Sequence, residues 1–315
     1  MFALRCVGVS LSFFLLLYGV LSLTVARGWR LARRAANGWP ARRMADFLFA
    51  LRTLPLAAGL LVTLLFVVPS FLLLEPRVVT EPIGEIPLAL GATCLLLLGA
   101  GAVKAVGAHR RTSQAVNGWM RGATSESNCY PVPLFRIQSS APALAVAGGL
   151  SPRVLLSNRA AELLSGQELQ TALRHEVAHA RRRDNLKKML FRFCALPGMS
   201  GLETAWAEAA EMAADDAAVS NWREALDLAS ALIKLSRFAT ATATATLTTA
   251  LAQPMGSALN ARIERLVKWD ETRLNKTQRL SWHWTPAFLG AAVCVIATYG
   301  GVLTRMHEMT EWLVR

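Results

Sequence analysis

Histidine is scarce in this chain, acids are outnumbered, and the cysteines form no pattern. There are 5 histidines and 21 acidic residues against 34 lysines and arginines, a formal net charge of +13 over 315 residues. Cys6, Cys94, Cys129, Cys194 and Cys294 give no CxxC pair and no framework spacing. That excludes a disulfide scaffold and a cysteine-built zinc cluster. No long-period repeat is present, and no DNA-binding motif accompanies the basic charge. Nucleic acid is therefore not the expected partner.

What is present is apolar. Hydrophobic residues make up 53% of the chain, above the ~45–50% usual for soluble domains, and they fall in blocks. Four runs approach the ~20 residues needed to cross a bilayer: Cys6–Val25, Leu54–Leu74, Ile86–Val106 and Pro286–Leu303. Arg5 before the first run and Thr24-Val25-Ala26 at its end also fit a signal peptide, but the arginines directly after Ala26 fit an anchor better. Residues 26–53 carry seven arginines and one acid, whereas residues 75–85 carry three glutamates and one arginine. Lys104, Arg110, Arg111 and Arg121 follow the third run. The positive-inside rule then places the first loop and the region after Val106 in the cytoplasm, with both chain ends outside. The expected organisation is a membrane region over 1–107, a cytoplasmic domain over 108–285, and a fourth span with a short tail over 286–315.

Within that domain, the segment starting "RRTSQAVNGW" (Arg110–Trp119) reads as linker and turn. "VPLFRIQSS", "ALAVAGG" and "RVLLS" read as short strands. "SGQE", Ser165–Glu168, is a capping-box signature that starts a helix near Gly166. Further helices are expected over Leu202–Val219, Glu224–Phe238 and Ala258–Trp269, with the threonine- and alanine-rich stretch before the last as an irregular loop.

Two of the histidines, His175 and His179, lie four residues apart in "LRHEVAHARRRDN". On a helix they share a face and present two imidazoles to one point, at a spacing that suits zinc. Glu176 lies about 100° round the helix. It is badly placed to bind the same ion but able to reach a water on it, as a general base does. A third ligand is expected from the alanine-rich stretch that holds Glu208, Glu211, Asp215 and Asp216. One of these carboxylates can bind the ion while another orients an imidazole. Helix spacing alone leaves Glu208 and Glu211 open. The basic run Arg181–Lys188 fits either anionic lipid headgroups or a cationic helix end, and Asp184 fits a pair within that run.

Taken together, "HEVAHARRRDN", "EMAADDAAV" with its ExxAD core, "APALAVAGGLSPRVLLS" and "RIERL" resemble the M56 peptidases, the BlaR/MecR-type integral membrane metallopeptidases. The resemblance covers the soluble domain and the arrangement of apolar runs. It implies a membrane protein of about four transmembrane helices with a cytoplasmic α+β, gluzincin-like zinc metallopeptidase domain. It implies Zn2+ held by His175, His179 and Glu211, Glu176 as the catalytic base, and Asp215 as the acid that orients a ligating imidazole. Localisation in a bacterial cytoplasmic membrane follows, with the lipid bilayer and a protein substrate as partners. A transcriptional repressor is one such substrate class. The sensor domain of the antibiotic-sensing members is not expected, because the chain ends at Arg315, shortly after the fourth run. Two rival readings share parts of the pattern: an M48-like membrane quality-control protease, and a catalytically silent membrane scaffold. His283, beside the fourth run, is a weak candidate for stabilising the oxyanion.

Overall fold

The first apolar run continues as one helix well beyond its apolar residues, because the arginines and alanines that follow it are good helix formers. In the computed structural model, which describes residues 2–76, 84–126, 131–138, 142–194, 196, 198–237, 249–250, 256–269 and 298–311, helix α1 spans Phe2–Ala35. At 1.5 Å per residue its 34 residues reach about 51 Å, against about 30 Å of hydrocarbon. The basic segment is therefore not a loop. It forms the end of α1, a turn at Gly38 with φ +86°, and the start of α2, Ala41–Val62. A π-helical turn, Thr63–Val67, joins α2 to α3, Val68–Leu74. Helix α4, Glu85–Trp119, likewise runs on through the residues expected to form a linker. These are three helices long and apolar enough to cross a membrane: Phe2–Ala35, Ala41–Leu74 and Glu85–Trp119.

The fourth apolar run lies outside the described residues up to 297, as do Cys129 and His283. Residues 298–311 are helical, so the chain after Leu303 is helix rather than a loose tail. This helix packs on the second span. The Tyr299 hydroxyl donates to the Leu65 carbonyl at 2.7 Å, within the π turn, where the helical ladder is locally broken.

A five-stranded sheet follows α4, in the order β1-β2-β4-β3-β5. Its strands are β1 (Thr124–Glu126), β2 (Leu134–Ile137), β3 (Leu144–Ala147), β4 (Arg153–Ser157) and β5 (Thr249–Ala250). Only β2 and β4 are parallel. The three strands read from the sequence are present. β1 and β5 are additions, and β5 comes from the stretch read as an irregular loop. At the β3–β4 turn, Gly148 has φ +91°, and a Cβ there would sit 2.5 Å from the Ser151 carbonyl oxygen. Only glycine fits that turn.

Six helices follow or flank the sheet among the described residues: α5 (Asn158–Leu163), α6 (Gly166–Arg182), α7 (Asp184–Phe193), α8 (Ser200–Ala218), α9 (Trp222–Ser236) and α10 (Gly256–Val267). One core joins β3 and β4 to α6 and α9 through Leu144, Val146, Leu156, Leu173, Val177 and Leu232. A second core joins α8 to the membrane helices, where Leu202, Trp206 and Ala210 pack with Trp29, Ala45 and Leu48. Arg52, buried on α2, seals this joint by donating to Glu203 at 2.9 Å and to the Cys194 carbonyl at 2.7 Å. The part after α4 is thus welded to α1 and α2 rather than tethered by a linker.

Candidate metal centre

The site is built on α6. Its first turn carries the capping box expected from the sequence: the Ser165 hydroxyl accepts from the Glu168 amide, and the Glu168 carboxylate accepts from the Ser165 amide. Glu168 also accepts from Ser230 and Lys234 on α9. This fixes the helix along its axis, and two turns later it delivers His175, Glu176 and His179, all buried.

Each imidazole is oriented by a carboxylate. His175 Nδ1 lies 3.0 Å from Asp215 Oδ1, and His179 Nδ1 lies 2.7 Å from Asp184 Oδ2. Asp184 reaches back because Arg183 breaks the helix in a left-handed conformation, φ 53°, which turns α7 away from α6. With both Nδ1 atoms so engaged, both Nε2 atoms point to one place and stand 3.1 Å apart. Glu211, from α8, closes the group. Its Oε2 is 3.5 Å from His175 Nε2, and its Oε1 is 3.4 Å from His179 Nε2. Ligand bonds of about 2.1 Å around a tetrahedral ion imply edges of about 3.4 Å. His175, His179 and Glu211 therefore form a group that could hold a metal ion.

The electrostatics agree with that role. Two imidazole nitrogens 3.1 Å apart can share a proton or a metal ion. Burial works to lower the His179 pKa, yet the Glu211 and Asp184 carboxylates raise it to about 10. Burial works upward on Glu211 too, but His179 and Arg262 hold it well below the usual carboxylate range. Burial raises Glu176 to about 7, against the pull of the His175 and His179 charges. Neither of its oxygens has a well-formed hydrogen bond among the described residues.

Arg262, on α10, had no role in the sequence reading beyond its place in "RIERL". Here it forks across two acids, with Nη1 2.9 Å from Glu211 Oε2 and with Nε and Nη2 on Asp215 at 2.8 and 2.7 Å. Against burial, its guanidinium holds Asp215 at about 2. The signal available in the sequence was a basic residue on the inward side of an amphipathic helix, one turn before Leu266.

No family model matches this chain, and neither does any curated protein. The site must therefore be judged on its own geometry. That geometry brings together His175, His179, Glu211 and Asp215, with Glu176 beside them. Glu208 turns away to Arg33 on α1, at 3.5 Å, and Asp216 pairs with Arg265 at 2.6 Å. Much of the basic run is also engaged with protein: Lys187 reaches Asp46 at 3.5 Å and lies over the Phe49 ring, and Arg182 lies 3.5 Å from Asp184. A cavity of about 260 Å³ opens beside the group, lined by His179, Glu211, Lys188, Trp206, Leu259 and Arg262 among others.

Proposed function

We propose that the protein is a membrane-embedded zinc-dependent endopeptidase of the M56 type, which cleaves a cytoplasmic or membrane protein. The observation that carries this reading is the convergence of His175 Nε2, His179 Nε2 and a Glu211 carboxylate at tetrahedral edge lengths, with the buried Glu176 next to them. Two histidines and one carboxylate leave a tetrahedral ion one open position, as hydrolytic zinc sites require. A zinc ion bound there supplies Lewis acidity to a water and to the scissile carbonyl.

The chain's own groups do the rest. Asp215 and Asp184 hold the two imidazoles in the ligating tautomer. Glu176, held near pH 7 by burial, takes a proton from the attacking water and passes it to the leaving amine. The apolar residues that line the cavity lower the local polarity and strengthen each charge interaction. The basic ends of α1 and α2 support an orientation with this site at the cytoplasmic face of a bacterial inner membrane.

The intact base favours an enzyme over a silent scaffold. In detergent, the zinc-loaded protein should cleave an unstructured protein such as β-casein, and Glu176→Gln should abolish cleavage. Comparing membrane proteomes of cells that carry the two forms then identifies the substrate. Zinc-loaded wild type with no hydrolysis of any unstructured protein or membrane-proteome substrate would contradict the reading.

A further inference from the structure

A tetrahedral intermediate needs a group to stabilise its oxyanion, and none of the residues assigned so far does this. We propose that Lys188 is that group: its ammonium stands in the cavity beside Glu211 and donates to the oxyanion formed from the scissile carbonyl. The proposal rests on the peptidase reading above.

Three observations point to it. First, Lys188 lines the same cavity as His179 and Glu211, together with the apolar Trp206, Ala210 and Leu259. Second, it lies four residues after Asp184 on α7, and residues four apart share a helix face. Asp184 bonds His179 Nδ1, so this face of α7 packs against a ligating imidazole. Third, its neighbour Lys187 is taken up between Asp184, at 3.6 Å, and Asp46 on α2, at 3.5 Å. Within "DNLKK", Lys188 is the cation that lines this cavity. A lysine in an apolar-walled cavity costs solvation, and burial lowers its pKa while the Glu211, Asp184 and Glu176 charges oppose that fall. Arg262 already spans Glu211 and Asp215. An ammonium that becomes a stronger partner as negative charge develops on substrate lowers the barrier rather than only the ground state.

In the step concerned, the water oxygen bonds the carbonyl carbon, the carbonyl π pair moves onto oxygen, and the water's proton goes to Glu176. Lys188 donates a hydrogen bond to the new oxyanion without losing its proton. The oxyanion then collapses, the C–N bond breaks, and the amine leaves with the proton from Glu176.

The test uses the full-length zinc-loaded protein with Lys188→Met and Lys188→Arg, β-casein as substrate, and two peptidyl inhibitors. One inhibitor is a phosphonamidate, whose phosphoryl oxygens mimic the oxyanion. The other is a hydroxamate, which grips the metal without one. Lys188→Met should keep its zinc and lose roughly 100- to 1,000-fold in kcat, with KM within about threefold. It should lose a similar factor in phosphonamidate affinity while hydroxamate affinity stays nearly unchanged, and Lys188→Arg should recover part of both. Unchanged kcat, loss of zinc, or equal loss of both inhibitors in Lys188→Met would overturn the role. Inactive zinc-loaded wild type would instead sink the peptidase reading itself.

Discussion

Glu208 and Glu211 stand three residues apart on α8, and only Glu211 meets the histidines. The other lies 3.5 Å from Arg33 on α1, so the choice between them is made by how α8 packs on α6 rather than by spacing. Around the pair of imidazoles the same logic repeats, since each ring has its own acid. Asp184→Asn and Asp215→Asn should each weaken metal affinity roughly 10- to 100-fold, measured by competition with a chelator. Undiminished affinity in both would mean that the rings hold their tautomers without help. The His179 proton gives a pH dependence with a definite sign. Its pKa is raised to about 10 in the protein alone, so a metal entering at neutral pH must expel that proton. From this proton, apparent affinity should rise about tenfold per pH unit between roughly pH 6 and 9, and acid should release the ion. A flat profile across that range would contradict the assignment of His179 as a ligand.

Among the elements, the α6–α7 corner decides the geometry. Arg183 occupies a left-handed conformation at φ 53°, a cost of about 1–2 kcal/mol that glycine does not bear. Arg183→Gly should therefore raise stability by about 0.5–1 kcal/mol after its larger unfolded-state entropy is counted, with metal binding retained. Arg183→Val, which tolerates positive φ poorly, should pull Asp184 from His179 and weaken metal binding as Asp184→Asn does. Chelator titration of the two variants checks this, and equal metal affinity in both would remove the corner from the account. This corner was not legible in the sequence, because arginine there gives no sign of a left-handed turn. The capping box at Ser165 and Glu168 was legible, since its partners are local. So was the meeting of His175, His179 and Glu211, through the HExxH spacing together with ExxAD. Arg262 and Asp184 were seen as residues but not as partners of Asp215 and His179, because those contacts depend on how α10 and α7 pack. The basic segment was misread as a loop, because charge pattern reports sidedness and says nothing against helix.

At the scale of the whole molecule, the sheet-bearing part and the long apolar helices share one structure. Trp29 packs on Gly201, where an added Cβ would come within 3.2 Å of the indole, and Arg52 is buried against Glu203. At the far end, Arg5 and His307 both approach Glu75, at 3.5 and 3.7 Å. The start of α1, the end of α3 and the helix over 298–311 are therefore gathered on one side. The proposed orientation puts that side outside the cell. Leu150→Cys, at an exposed position between β3 and β4, should resist a membrane-impermeant thiol reagent in intact cells and react after lysis. Glu311→Cys should react in both. Labelling of Leu150→Cys from outside would invert the orientation.

The most direct measurement is zinc retained per chain after dialysis against a graded chelator, for wild type, Glu176→Gln and Glu211→Gln side by side. A three-ligand centre with Glu176 as base predicts about one zinc in wild type and in Glu176→Gln, at nearly the same chelator strength, and severe loss in Glu211→Gln. Zinc lost from Glu176→Gln as fully as from Glu211→Gln, or kept by Glu211→Gln, would contradict the account.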